Sequence, residues 1–569
     1  MTWSRLFVGM DFKDESYHIL VPWRWVLGDR PFVHEANFLQ FPGIVEYPFL
    51  KLFGLLRHND PTGLVLYTRH LYLLMMIGVA AAVFLLLRRL VLWQLALLIS
   101  CVYVTYIFWA TPQLSYNTMA QAFLTLGAVF GAWVVVLGKG RGYALASGAA
   151  FGVAVVAYPT LLFVMPFFAV LFAFAHGRRA VAVLAEGAFV DPPDPEGPPT
   201  GRGAWRSLSA WAAGGALVLL PAGLLLASFG FGNVRRSWRN TMAGAHQIGQ
   251  LGGAAKAVEV MRGYWAQLTW QPLVIVAALL VYLVYRRWPR LGRALLAGLP
   301  FVLWLSAQRS MLNTSGFVQA SSFLALYLFL FIPASRREAG AKLLIWVWAP
   351  AMIAGVMTAF TSALGVQNSA VGLAPTLMVT GLFVAWSLIE VFEGVPWLAV
   401  GVLVAVLAVT VAFQFQFQER DMPYSSLTSR VTAGPWWGIE VTPQRHAELD
   451  SFASGLRATA RPGDSLLVCF EAPGYYLYWN GPIASYAYWM MASPSGGLPP
   501  GEIAYLHSND VVPTLVVHLT HTAGLTPAEI VAADLGFGYP PVLVRPTYVI
   551  YRKPAEETTA QVLARLPQP

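Results

Sequence analysis

Long apolar runs return again and again down this chain, and no other feature limits its fold as strongly. "LYLLMMIGVAAAVFLLL" (71–87) and "LAVGVLVAVLAVTVAF" (398–413) are two of them. A helix needs about 20 such residues to cross a bilayer. Lipid cannot satisfy open backbone groups, so chains of this kind cross as helices. Twelve segments qualify, near 68–87, 91–109, 118–137, 143–158, 160–175, 208–229, 272–286, 293–307, 316–333, 343–361, 372–391 and 396–413. The fourth and fifth are short and are split by Tyr158-Pro159. Charge agrees: 11% of the 569 residues are charged, against about 25% in a soluble domain. The expected fold is a polytopic α-helical membrane protein.

Basic residues then orient the ladder. Arg88-Arg89, Lys139 with Arg141, Arg178-Arg179 with Arg202 and Arg206, Arg286 to Arg293, and Arg336-Arg337 with Lys342 fall on every second connection. The positive-inside rule makes that side cytoplasmic, which also accounts for the net charge of +9 without nucleic acid. The expected location is a cell (plasma or inner) membrane. Three domains follow: a first outer loop over 1–67, a transmembrane domain over 68–413, and an extracytoplasmic tail over 414–569. The connection 176–207 reads as a flexible inner loop. Residues 1–15 lack the apolar core of a cleavable signal. Cys101 falls in a span and Cys469 in a strand, so no disulfide is expected.

The tail is different material. "TPQRHAELDSFASGLRATA" opens with a Thr that can cap and a Pro suited to a first turn. "DSLLVCF", "PTLVVHL" and "VLVRPTYVIY" read as strands, and "TPAEIVAADLG" as a helix. A small α/β domain is expected. Gly148 and Gly152 give a small-xxx-small spacing suited to close helix packing.

Carboxylates are placed unevenly. Residues 1–60 hold Asp11, Asp14, Glu15, Asp29, Glu35, Glu46 and Asp60, whereas 61–185 hold none. The expected topology leaves Glu259 as the one outward acid of the transmembrane domain beyond the first loop. Spans this poor in acids argue against a proton- or sodium-coupled transporter. They favour a scaffold with chemistry at its outer surface. "DFKDESYH" there offers Asp11, Asp14 and Glu15, with His18 on the same helical face. A carboxylate can take the proton of an attacking hydroxyl or bind a metal. The competing explanation is an acidic helix start that favours the positive dipole end. The outer loop 230–271 carries Arg235, Arg236, Arg239, Lys256 and Arg262 against the usual bias. Either they have a task or a loop of this length tolerates them.

An Asp-Glu pair followed by Tyr17, then "GDRPFVHEANFLQFPGIVEYPFLKLF", many spans and a small outer domain resembles the GT-C superfamily. These are membrane glycosyltransferases that use polyprenyl-phosphate sugars, such as protein O-mannosyltransferases and aminoarabinose transferases. The resemblance is densest over 10–130, including "RHLYLLMMIGVAAAVFLLLRRL" and "TPQLSYNTMAQ". It implies an acidic residue in the first outer loop acting as base toward the acceptor hydroxyl. That points to Asp14 and Glu15 without choosing between them, and to Asp11 as a weaker third. It also implies a span ahead of the acidic loop, where only ten residues precede Asp11.

The lipid phosphate is already a good leaving group, so the enzyme must add a base and positive charge. Arg235, Arg236, Arg239 and Arg309 could supply that charge, since arginine donates to phosphate as a fork. Tyr17, His18, Tyr116 and Asn117 are candidate substrate contacts; Tyr116 and Asn117 could equally anchor a helix at the interface. "WW" (436–437) and "GYYLYW" (474–479) could stack on a sugar, with packing the simpler reading. His518 and His521 lack partners at zinc-ligand spacing. No metal ligand is assigned, and the cofactor stays open, a divalent metal included.

The expected function is transfer of a sugar from a polyprenyl phosphate to a lipid, glycan or protein acceptor outside the membrane. The alternatives are a lipid-linked oligosaccharide polymerase or ligase relying on outer arginines, and a lipid or glycan transporter.

Overall fold

A computed structural model describes residues 2–35, 37–107, 112–176, 201–247, 253–268, 280–281, 283–284, 286–288, 291–292, 314–330, 332–362, 364–391, 400–401, 404, 424–469, 472–489, 498–520 and 535–567. The elements used below are, in chain order, α1 (Asp14–Val26), α2 (Pro42–Arg57), α3 (Leu64–Leu87), α4 (Tyr116–Val135), α5 (Arg141–Ala157), α6 (Gly201–Ser228), α7 (Phe231–Gln247), α8 (Thr314–Phe329), α9 (Ala349–Phe360), α10 (Ser369–Leu373), α11 (Thr376–Val391), α12 (Pro443–Thr459), β1 (Leu466–Cys469), α13 (Pro500–Asn509), β2 (Leu515–Leu519), β3 (Pro541–Val544) and β4 (Tyr548–Arg552). They fall into two compact units.

The first unit takes in 1–2, 72–224 and 246–417 and is mostly helical. Among the described residues four helices are long and apolar enough to span: Leu64–Leu87, Tyr116–Val135, Gly203–Ser228 and Ala334–Phe360. A fifth crossing would be the pair Gly365–Leu373 and Thr376–Ser387, bent by 65°. Trp93–Thr105, Arg141–Ala157 and Pro159–Ala175 are shorter apolar helices. Most of the expected segments at 272–286, 293–307 and 396–413 lies outside the described residues.

Small residues let these helices approach. A Cβ on Gly148 of α5 would stand 1.8 Å from the Trp211 carbonyl oxygen of α6, and one on Gly214 2.0 Å from the Leu145 oxygen. Backbone therefore meets backbone there, as small-xxx-small spacing allows. Gly131 of α4 makes room for Trp346, whose indole donates to the Ala128 carbonyl at 3.0 Å. Trp346 sits in a π turn over Leu344–Trp348.

The second unit joins residues 3–71, 225–245 and 418–569. Its four-stranded sheet has the order β1-β2-β4-β3. β1 and β2 run parallel, with Leu466 opposite Leu515, while β4 is antiparallel to both β2 and β3. The stretch "VLVRPTYVIY", read as one strand, is a hairpin of β3 and β4. Leu467, Cys469, Val516, Val549 and Tyr551 pack with Leu506 and Val562 into one buried cluster. Thr442 caps α12 by accepting from the Arg445 N–H at 3.2 Å, with Pro443 in the first turn. The helix expected at "TPAEIVAADLG" lies outside the described residues apart from its last two residues.

Candidate active site

The acidic loop is the start of α1. Asp14 and Glu15 stand in its first turn, where the free N–H groups favour negative charge. Their surroundings differ. Glu15 is fully buried and meets Arg69 of α3 twice, Nε to Oε1 at 2.6 Å and Nη2 to Oε2 at 2.8 Å. Arg69 also donates to the carbonyls of Leu6 (2.7 Å) and Gly9 (2.8 Å), so one guanidinium ties the leading segment to the helix start. Glu15 further accepts the Asp11 N–H at 3.2 Å. Asp11 is buried, and its carboxylate accepts the Lys13 N–H at 2.9 Å. Asp14 is half-buried.

Residues of the tail close on the same loop. Phe12 stacks on Tyr475 with ring centres 4.8 Å apart and leans on Trp436 at 5.5 Å; the Arg445 guanidinium lies 5.2 Å from the centre of the Phe12 ring. The Gly474 N–H donates to the Phe12 carbonyl at 3.1 Å. A Cβ at Gly474 would fall 2.2 Å from Phe12 and 2.7 Å from the Ser16 hydroxyl, so only glycine fits. Ahead of the loop, Gly9 N–H donates to the Glu440 carbonyl at 2.9 Å, and Glu440 N–H to Phe7 at 2.6 Å. The aromatic stretches at 436–437 and 474–479 thus supply packing around the acidic loop. Trp436 and Tyr475 are buried, whereas Trp437 is exposed.

A second acidic group was not singled out from the sequence. Glu35 accepts the Tyr488 N–H at 2.6 Å and the Asn37 N–H at 2.7 Å. Glu502 of α13 accepts the Tyr486 N–H at 3.0 Å and the Ser485 hydroxyl at 3.1 Å. Asp29 bonds the Tyr488 hydroxyl at 2.5 Å and Arg24 at 2.8 Å. Three carboxylates therefore grip one short strap, 485–488. Burial outweighs the hydrogen bonds at Glu35 and Glu502 and pushes each carboxyl up to about 8. Burial also raises Asp29, but the His34, Arg24 and Tyr488 contacts hold it below the usual carboxylate range. The strap leads to Trp489, whose ring centre lies 5.8 Å from that of Tyr17. The bonds of Glu35 and Asp29 to Tyr488 join positions more than 450 apart in the chain, beyond any local sequence signal. Glu46 is buried on α2, and neither of its oxygens has a hydrogen-bond partner among the described residues.

The other candidates scatter. Tyr17 and His18 are buried on α1, and burial pushes His18 down to about 3, so its ring is neutral at pH 7. Arg235, Arg236 and Arg239 are exposed on α7, which leans on the first loop through Trp238 against Phe38 at 4.9 Å. Arg236 lies close enough to Tyr486 to oppose the rise that burial causes in its phenol. Tyr116 and Asn117 begin α4 in the first unit, behind a capping box of Ser115 and Thr118. Arg309 lies outside the described residues. His518 is buried on β2, and among the described residues no group of three or more His, Cys, Asp or Glu could hold a metal ion.

No protein-family model matches the chain, and no curated protein matches it. Solved structures do. The archaeal oligosaccharyltransferase AglB from Archaeoglobus fulgidus, solved with an inhibitory peptide and a dolichol-phosphate, matches over 97% of this chain and 71% of its own, at 13% identity and TM-score 0.46. ArnT from Cupriavidus metallidurans in the apo state matches over 99% and 97%, at 14% identity and TM-score 0.44. ArnT bound to undecaprenyl phosphate matches over 98% and 97%, at 15% identity and TM-score 0.42. These neighbours are GT-C superfamily membrane glycosyltransferases.

Proposed function

We propose that the protein is a membrane glycosyltransferase that moves a sugar from a polyprenyl phosphate to an acceptor hydroxyl on the outer side of the membrane. The acceptor oxygen attacks the anomeric carbon. The bond from that carbon to the phosphate oxygen breaks, and the lipid phosphate leaves with the electron pair. Asp14 takes the acceptor proton. One observation carries the assignment: Glu15 has both oxygens committed to Arg69 inside the protein, while Asp14, beside it on the same helix start, is half-buried. A base must reach its substrate, and a fully buried ion pair does not. Arg235, Arg236 and Arg239 are exposed on one helix of the same unit and suit the departing phosphate.

The test is transfer in proteoliposomes of the full chain, fed undecaprenyl-phosphate sugars with a labelled glycosyl group. Asp14→Asn should lose about 10²–10⁴ of the turnover, the usual worth of a general base, while still binding the donor. Alanine at Arg235, Arg236 and Arg239 together should weaken donor use. Normal transfer by Asp14→Asn overturns the assignment. Full activity of that variant with a dead triple-alanine variant would favour a polymerase or ligase that works through its arginines.

A further inference from the structure

The first unit gathers uncharged polar groups at one end of its helices. Asn117 and Gln121 lie one turn apart on α4, Gln319 on α8, and Asn368 just ahead of α10. All four are at least nine-tenths buried, with exposures of 8%, 2%, 3% and 0%. Each keeps one amide atom with no hydrogen-bond partner among the described residues: Oδ1 of Asn117, Nε2 of Gln121, Oε1 of Gln319 and Oδ1 of Asn368.

Contacts link the elements that carry them. The Tyr116 and Tyr158 rings lie 5.5 Å apart, and the Asn368 amide donates to the Tyr158 hydroxyl at 3.1 Å. Gln319 donates to the Ser369 hydroxyl at 2.9 Å and to the Val366 carbonyl at 2.6 Å. α10 in turn packs against α4. On the topology read from the basic residues, all these positions fall at outer span ends.

The backbone break beside them does not explain the orphans. Between α10 and α11 the chain bends by 65°. The freed groups there are already met: Thr376 donates to the Leu373 carbonyl, Tyr103 donates to the Ala374 carbonyl, and the Met378 N–H donates to Tyr103. Four orphaned amide atoms in a membrane unit are costly, since each forfeits the hydrogen bonds it makes in water. Discontinuous helices flanked by such groups are a recurring way to build a polar ligand site at membrane depth. The orphans number three acceptors and one donor, and none is charged. That matches sugar hydroxyls, which donate and accept, and not a phosphate, which asks for donors and cations. Two tyrosine rings beside them add an apolar wall of the sort that packs on a sugar face.

We infer that Asn117, Gln121, Gln319 and Asn368 form a subsite for a neutral sugar, either the glycosyl group of the donor or a sugar of the acceptor. The inference rests on the glycosyltransferase reading only for which of the two it is. The test uses the detergent-purified full chain and saturation-transfer NMR with a panel of neutral hexoses and pentoses. At least one sugar should give transfer signals, and these should vanish in Gln121→Leu/Gln319→Leu, which still unfolds cooperatively and still binds sugar-free undecaprenyl phosphate. In steady-state assays the same variant should raise KM for one sugar-bearing substrate about tenfold per lost hydrogen bond. A rise for the donor assigns its glycosyl group; a rise for the acceptor assigns that partner. Sugar signals in a protein that transfers nothing would support the subsite while sinking the proposed function. Transfer with unchanged KM values in the variant, or no sugar signal from the wild-type chain, would overturn the subsite.

Discussion

Asp14 and Glu15 are chemically alike and adjacent, yet the fold gives them different surroundings. Glu15 and Arg69 form a fully buried pair, and removing one partner strands the other's charge. Glu15→Gln and Arg69→Leu should each destabilise the protein by about 3–5 kcal/mol, the usual cost of breaking such a pair. Asp14→Asn should cost no more than about 1 kcal/mol, the usual worth of a negative charge at a helix start, and reduce transfer. Thermal unfolding of the three variants beside turnover separates the roles. A stable Glu15→Gln protein with no activity would reverse them.

Whole elements carry two further predictions. α5 and α6 touch backbone to backbone at Gly148, where a side chain has no room. Gly148→Val should cause loss of folded protein, whereas Gly223→Val on α6, with nothing within 4 Å of its Cβ, should be tolerated. Detergent-resistant yield and unfolding midpoint read the difference. The strap 485–488 predicts a pH dependence. Glu35 and Glu502 have folded pKa values near 8 against an ordinary 4.5. The folded state therefore holds protons that the unfolded chain has released. Their contribution is fully present below about pH 4.5, falls as pH rises through about 8 and is flat above. Asp29, shifted the opposite way, adds stability that is lost only in acid. Unfolding midpoints measured from pH 5 to 9 should fall in the wild-type protein and fall less in Glu35→Gln/Glu502→Gln. Parallel slopes would show that the two carboxyls do not titrate there.

At the scale of the whole molecule the prediction is orientation. Alternating basic clusters put the Lys139–Arg141 turn inside and the tail outside. Gly140 is exposed with open space around its Cβ, and Ser454 is exposed on α12. Cysteines at these two positions should react with an impermeant maleimide from opposite faces of a sealed vesicle. Cys469 is buried and Cys101 sits in an apolar helix, so the background is low. Labelling of both from one face would reject the topology, and with it an outer active site.

What the sequence determined by itself is whatever rests on local composition and period. Apolar runs near 20 residues give membrane helices, and Thr442-Pro443 marks a helix start because capping needs only neighbours in the chain. Short β-branched runs became β1, β2 and β4, and Gly148 marked a close crossing for want of a side chain. The acidic loop stood out because the next 125 residues, 61–185, carry no acid. Only tertiary structure could separate Asp14 from Glu15, since the arginine that claims Glu15 is 54 positions away. Nor does any sequence period announce that Gly474 must admit Phe12, or that Glu35 and Glu502 share a strap at 485–488. Burial and charge pairing depend on which distant surfaces meet. They decide a carboxylate's proton affinity and reach, and so which of several identical groups is left to do chemistry.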